Sequence, residues 1–332
     1  MIFQNIVFSL EMTTSRPTAM SKMWFPRAIS CSAGGLRALS QLGTLAALRD
    51  AGVLNHVHDW YGCSGGGITA LIGTLYVLGA TSAWIRDALA IFDTTPFATL
   101  DTQRIAQFWT EWGILSGSDI IAVVGRILNT LAPTISTWTF RELEQHTGSR
   151  LHLIATNVSR CCSTTFSSAT TPHVRVLDAL QASMAVPSIF VPVVINGDLY
   201  CDGAVDEYYP WMCVEKKDET LVLLTDSTKN MTSTVQSFAE YLHRIYSIMY
   251  NRRRIVPLPR NWIAVNEQRI SMVSMILTLE DRMALFADGI KSAKGWLLLR
   301  KQRHFRRIRR PVSAPVAPLA PLERKTLRRW SI

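Results

Sequence analysis

A chain of 332 residues, 48% of them hydrophobic and ten of them Trp, can bury a sizeable core, which excludes an intrinsically disordered protein. Its formal charge is +10, but thirteen of the 35 Lys and Arg and one of the 25 Asp and Glu fall between Lys291 and Arg329. That stretch carries +12 and residues 1–290 carry −2, so the body is near neutral and the tail is the basic element.

The six Cys include one adjacent pair, Cys161 and Cys162, and no pair of C-x-x-C spacings. A small disulfide scaffold and a zinc site are thereby excluded, and a reducing intracellular compartment is expected. The opening "MIFQNIVFSLEMTTSRP" lacks the basic start, long apolar run and small-residue cleavage site of a secretory signal. Residues 1–24 are expected to be a flexible leader.

From there "RAISCSAGG" predicts a short buried strand entering a glycine turn, and "LRALSQLGTLAALRDAG" a helix stopped by Gly52. "VHDWYG" predicts a second strand, which runs into "YGCSGGGITALIGTLYVLGA". Trp84 to Gly148 is helical in pattern, with Ser118 or Asp119 expected to cap "SDIIAVVGRILNTLAP". Beyond it "RLHLIATN", "STTFSS", "FVPVVI", "LYC" and "TLVLLTD" read as strands, with a helix around Val174 to Ala185 among them. Strands and helices mixed in this way predict a layered α/β fold. "TVQSFAEYLHRIYSIMY" places Val235, Phe238, Leu242, Ile245 and Met249 on one helical face, so residues 227–290 are expected to pack on the domain as a helical extension. "PVSAPVAPLAPL" reads as an extended linker within a basic, Pro-containing tail, 291–332.

The run from Tyr61 to Ala80 has no charged side chain and is long enough to cross a bilayer. Six glycines and the lack of a basic flank argue against an anchor. The other reading is Gly62-Cys63-Ser64-Gly65-Gly66, a G-x-S-x-G turn that drives a serine into an exposed, strained position between strand and helix. The apolar helix behind it would point its N-terminal dipole at Ser64, where negative charge develops during acyl transfer.

Acyl transfer also needs donors for the oxyanion and a base for the serine. The backbone N–H groups of Gly34, Gly35 and Leu36, in "SAGGLRA", are candidate donors, and Arg37 is a candidate to hold that loop or a phosphate head group. A glycine turn that merely joins strand to helix is the alternative there. In "NGDLYCDGAVDEYYP", Asp202 stands after a short strand and before Gly203, where a carboxylate can face a site. Partial burial would raise its pKa toward that of a useful base, although Asp-Gly after a strand also reads as a plain turn.

Together, Ala33-Gly34-Gly35-Leu36-Arg37-Ala38, Gly62 to Gly66 and Asp202-Gly203-Ala204 resemble the motifs of the patatin-like phospholipase family. "ALQASMAVPSIFVPVVINGDLYCDGA", "TFRELEQHTGSRLHLIATN" and "TTFSSATTP" resemble further segments of that family, so the likeness spans roughly residues 25–226. The resemblance implies a three-layer α/β fold with a central, mostly parallel sheet between helices. It implies a calcium-independent phospholipase A or lysophospholipase, with a Ser64–Asp202 dyad, a Gly34/Gly35 oxyanion loop and no cofactor or metal. Ala33 and Ala38 replace the outer glycines of the family's loop, at an expected cost of about 1 kcal/mol for an alanine forced to positive φ. Tyr208 replaces an asparagine often found after the aspartate motif.

Two alternatives remain on the residues. Asp226 and His243 follow Ser64 in the order of an esterase triad. A weak or inactive member of the fold, recruited to membranes by its tail, would keep the same motifs. Within 291–329, Trp296, Leu297, Leu298, Phe305 and Ile308 among the bases suit an interfacial helix on anionic lipid. Membrane contact is preferred there over nucleic acid or nuclear import. Peripheral membrane association of an intracellular protein follows. Cys31, Cys63 and Cys201 flank the three motifs and are expected to pack at strand ends rather than to act as redox sensors.

Overall fold

The computed structural model describes residues 23–95, 102–225, 234–235, 241, 244–245, 248, 259–265, 270 and 275–308, with side chains omitted at 102–104 and 303–308. The chain divides into two units. Trp24–Leu297 is the main body, and Met1–Met23 groups with Leu298–Ile332.

The core of the body is a mixed sheet of eight strands: β1 Ala28–Cys31, β2 Asp59–Cys63, β3 Arg150–Asn157, β4 Cys162–Phe166, β5 Val193–Ile195, β6 Asp198–Asp202, β7 Thr220–Thr225 and β8 Trp262–Val265. Their hydrogen-bonded pairing follows the path β5-β6-β3-β2-β1-β7-β8, with β4 also paired to β3. The run from β3 to β8 is parallel, while β4, β5 and β6 are antiparallel additions. The fold is thus the expected α/β architecture, a central and mostly parallel sheet flanked by helices.

Eight helices are described: α1 Ser40–Asp50, α2 Gly65–Thr74, α3 Ser82–Ile91, α4 Thr102–Glu111, α5 Ser118–Leu128, α6 Phe140–Thr147, α7 Val176–Met184 and α8 Leu279–Ile308. Alternation along the strands sorts the faces of the sheet. Ile29, Trp60, Leu153 and Leu221 enter the large core with residues of α1, α2 and α7. Ala28, Tyr61 and Val222 meet Trp211 and Val214 in a smaller cluster, formed by the 3-10 turn Pro210–Cys213 and the residue after it. All ten residues of α2 are buried, which explains a helix without a polar face. Its buried Ile68, Leu71 and Ile72 each stabilise the body by about 1.5–3 kcal/mol. The uncharged run therefore splits into β2, α2 and a 3-10 turn, Leu75–Leu78. No described helix is long and apolar enough to cross a membrane.

Several local expectations are corrected. Gly117, not Ser118 or Asp119, occupies the N-cap of α5, and no side-chain bond caps it. A capping box appears instead at α6, where Thr139 and Glu142 exchange bonds. Val235 and Ile245, read as a core-facing stripe, are 48% and 37% exposed, while Phe238, Leu242 and Met249 lie outside the described residues.

The boundary drawn between residues 290 and 291 falls inside α8, whose packing is firm. A Cβ on Gly289 would stand 1.9 Å from the Ser40 carbonyl oxygen, so α8 and α1 touch backbone to backbone. Thr44 Oγ1 donates to the Gly289 carbonyl at 3.1 Å. Arg282 Nε and Nη2 donate to the carbonyls of Leu89 (2.9 Å) and Ala90 (3.1 Å), satisfying the end of α3. Trp296 and Leu297, expected to face lipid, pack against the core instead. Leu298 and Leu299 are exposed.

Candidate active site

Ser64 links β2 to α2 at φ 52° and ψ −132°, a positive-φ conformation that costs a residue with a Cβ about 1–3 kcal/mol. Glycines let the turn close. A Cβ on Gly66 would lie 2.4 Å from the Ser32 carbonyl oxygen, and one on Gly65 would lie 2.2 Å from that of Gly35. The start of α2 therefore rests on the backbone that follows β1. Gly62 completes the motif, since a Cβ there would stand 2.6 Å from Gly67 Cα.

Asp202 reaches the same point through strand register. Along β3, β2 pairs with Arg150 to Ile154 and β4 with Leu153 to Asn157. Both pair with Leu153 and Ile154, so they occupy opposite edges of β3. β6 pairs with Ala155 to Asn157, where β4 already holds one edge, and it must share the edge of β2. The two strands run head to head, ending with Cys63 opposite Ile154 and Asp202 opposite Ala155. Ser64, one residue past Cys63, then meets the carboxylate, and its Oγ donates to Asp202 Oδ2 at 2.6 Å.

Both groups are buried, at 6% exposure for Ser64 and 2% for Asp202. Burial raises the Asp202 pKa from the ordinary 3.8 to about 6, against the opposing hydrogen bonds from Ser64 and from the Ala204 N–H. The Ala204 N–H donates to Asp202 Oδ1 at 2.7 Å. Gly203 has to lack a side chain because a Cβ would stand 2.2 Å from the Ile154 carbonyl oxygen. The result is a carboxylate more basic than an exposed one and already hydrogen-bonded to the serine hydroxyl whose proton it would accept.

Opposite this pair, Gly34 precedes the 3-10 turn Gly35–Leu39, which passes straight into α1. The first N–H groups of such a run, from Gly35 and Leu36, have no acceptor within it and carry the positive end of its dipole. Side chains fix this loop from behind. Gln41 Nε2 donates to the Ser32 carbonyl (2.9 Å) and to Thr225 Oγ1 (2.8 Å). The Thr225 N–H donates to Ser32 Oγ at 3.0 Å. The Ala33 N–H donates to the Tyr208 carbonyl at 3.4 Å, a contact that does not depend on the identity of the side chain at 208. Arg37 is 2% exposed, which suits holding the loop and removes it from any head-group surface.

The expected strain at the loop alanines is absent. Neither Ala33 nor Ala38 has positive φ, and Ala38 lies within the 3-10 turn. Cys31 and Cys63 are fully buried, burial pushes the Cys31 thiol far up and the Cys201 thiol to about 12, and both are therefore packing groups rather than reactive thiolates. Asp226 and His243 lie outside the described residues.

Sequence reasoning named Ser64, Asp202 and their glycines but missed Gln41, Thr225 and Ser183. The Ser64 N–H donates to Ser183 Oγ at 2.9 Å. Gln41 left little trace, as one of several polar residues in "LRALSQLGTLAAL". Thr225, the last residue of its strand, carried none.

The family model for patatin-like phospholipase matches residues 29–212. The chain is similar to the probable lipid hydrolase 463L of Invertebrate iridescent virus 6, at 24% identity over 82% of this chain and 88% of that protein. It is also 24% identical to the uncharacterized protein R571 of Acanthamoeba polyphaga mimivirus, over 85% of this chain and 97% of the relative. Among solved structures, VipD from Legionella pneumophila superposes with a TM-score of 0.49 and 16% identity, over 83% of this chain and 67% of VipD. Human GIVD cytosolic phospholipase A2 gives 0.48 and 11%, over 85% and 63% of the respective chains.

Proposed function

Because this chain belongs to the patatin-like phospholipase family, we propose that it is a calcium-independent lipid acyl hydrolase of the phospholipase A or lysophospholipase type. The observation that carries the proposal is the buried Ser64–Asp202 hydrogen bond of 2.6 Å. Asp202 takes the Ser64 proton as Oγ attacks the ester carbonyl carbon. The N–H groups of Gly34, Gly35 and Leu36 receive the oxyanion, helped by the N-terminus of α2. The protonated carboxyl of Asp202 then returns its proton to the departing alkoxide, and water, deprotonated by the same carboxylate, releases the fatty acid from Ser64. Nucleophile and base are both side chains of the chain itself, and the reading calls for no metal or cofactor.

The substrate class also has support at the surface. Ile105 and Trp109 stand one turn apart on α4, Trp112 follows directly after its end, and the three are 53%, 82% and 60% exposed. Trp is favoured at the head-group level of a bilayer, so this face suits an enzyme that works on lipid in a membrane. The twelve net positive charges of residues 291–329 favour peripheral contact of an intracellular protein with anionic lipid over contact with nucleic acid, each base near the surface contributing about 1 kcal/mol.

The test is release of fatty acid from mixed phosphatidylcholine and phosphatidylserine vesicles with EDTA present throughout. Wild type is expected to hydrolyse, and Ser64→Ala and Asp202→Asn to fail while folded. Activity surviving in folded Ser64→Ala would end the proposal. Activity lost in folded His243→Ala, with Asp202→Asn active, would move it to the triad.

A further inference from the structure

Ser64 and Asp202 come from the ends of different strands, 138 residues apart in the chain, so no local covalent link fixes their separation. One element touches both. At the C-terminal end of α7, Ser183 Oγ accepts the Ser64 N–H at 2.9 Å, and two residues later the Ala185 carbonyl accepts the Asp202 N–H at 2.8 Å. The Ser183 hydroxyl proton is committed elsewhere, to the Ile154 carbonyl at 2.6 Å. A hydroxyl has one proton and two lone pairs, so that commitment turns the acceptor side of Ser183 toward Ser64. Ile154 is the β3 residue opposite Cys63, and its carbonyl is also the group that Gly203 lies against. Ser183 thus ties α7 to the end of β2 and to β3, at the junction where β2 and β6 meet.

We propose that Ser183 is the positioning residue of the dyad, holding the strained Ser64 backbone so that its Oγ stays on Asp202. This rests on the Ser64–Asp202 reading above. Ser183 is fully buried and lies within α7, so it acts through Ser64 and meets no substrate. The same bond occupies the Ser64 N–H, which leaves oxyanion binding to the Gly34 to Leu36 loop and the start of α2. Removing the hydroxyl frees two polar groups, the Ser64 N–H and the Ile154 carbonyl, at the place where the nucleophile must be aimed. The damage therefore falls on the chemical step more than on substrate binding.

The experiment compares wild type, Ser183→Ala and Ser183→Thr in the full chain, with a soluble short-chain p-nitrophenyl ester and a fluorophosphonate probe of Ser64, and with melting followed by circular dichroism. For Ser183→Ala we expect kcat and the phosphonylation rate to fall together by at least tenfold, KM to stay within twofold, and the melt to remain cooperative. Ser183→Thr keeps a hydroxyl and is expected to recover most of the loss. Unchanged kcat and phosphonylation in folded Ser183→Ala would overturn the assignment, as would a loss confined to KM. An equal loss in a folded Ser183→Thr would overturn it too, because the hydroxyl would then not be what matters. Failure of the underlying reading shows separately, in wild type, as a probe adduct mapped by mass spectrometry to a residue other than Ser64.

Discussion

Asp202→Asn should make the protein more stable while abolishing its activity, and the gain should depend on pH. The carboxyl is 2% exposed and its pKa stands at about 6 in the fold, against an ordinary 3.8. A folded-state pKa above the unfolded one means that the native state binds more protons between those two values, so stability falls as pH rises through that window. At about 1.4 kcal/mol for each tenfold step, ionising Asp202 in the fold costs about 3 kcal/mol by pH 7–8. The asparagine side chain has nearly the same shape. Its carbonyl oxygen can keep the Ala204 N–H, and its amide can donate to Ser64 Oγ, so the charge is what the substitution removes. In thermal melts the variant should exceed wild type by about 6 °C at pH 8, taking roughly 2 °C for each kcal/mol in a body of this size. Near pH 4 the two should nearly coincide, because wild type is then protonated as well. In wild type, kcat/KM should fall tenfold for each pH unit below about 6 as the base is protonated. A variant no more stable than wild type at pH 8, or equally stabilised at pH 4 and pH 8, would refute the argument that burial of charge sets the strength of this base.

Gly66→Ala places a methyl 2.4 Å from the Ser32 and 2.5 Å from the Cys31 carbonyl oxygens. It should lose about 2 kcal/mol or more in urea unfolding and most of its esterase activity, whereas wild-type behaviour would mean that the elbow does not rest on that loop. Gly289→Ala drives a methyl to 1.9 Å from the Ser40 carbonyl and should cost about 1–3 kcal/mol by overpacking. An unchanged urea midpoint would show that α8 is not locked onto α1.

The parts of the site carried by short contiguous motifs were legible in the sequence. Ser64 announces itself because a strained strand-to-helix turn needs glycine on either side, and Gly62, Gly65 and Gly66 each meet backbone at under 3 Å. The end of α6 at Gly148 was legible for the same local reason, whereas its Thr139–Glu142 capping box, equally local, went unread. What depends on partners distant in sequence was not legible. The two contacts that position Ser64 and the oxyanion loop, from Ser183 and from the Gln41–Thr225 pair, span 119 and 184 residues. The reach of α8 was hidden for a related reason. Its charge count suggested a detached tail, yet the apolar side of its middle turns, with Ala293 fully buried, belongs to the core. Net charge reports what a segment shows to solvent and says little about the stripe it hides.

A serine hydrolase ordinarily uses histidine because imidazole titrates near 6.5 and can pass a proton at neutral pH. The chain has seven histidines, but under the proposed dyad that intermediary is not needed. With β2 and β6 ending against adjacent residues of β3, a carboxylate lies directly on the serine, and burial brings it to about 6, close to free imidazole. The same desolvation that strengthens the base destabilises the fold. The bond that the Asp202 carboxylate accepts from the Ala204 N–H and the one that its own N–H donates to the Ala185 carbonyl, together with the large core under α2 and α7, offset that cost. One acid of raised pKa can serve both half-reactions, as base while Ser64 attacks and as acid when the alkoxide leaves, because it stays within hydrogen-bonding distance of the atom whose proton it exchanges.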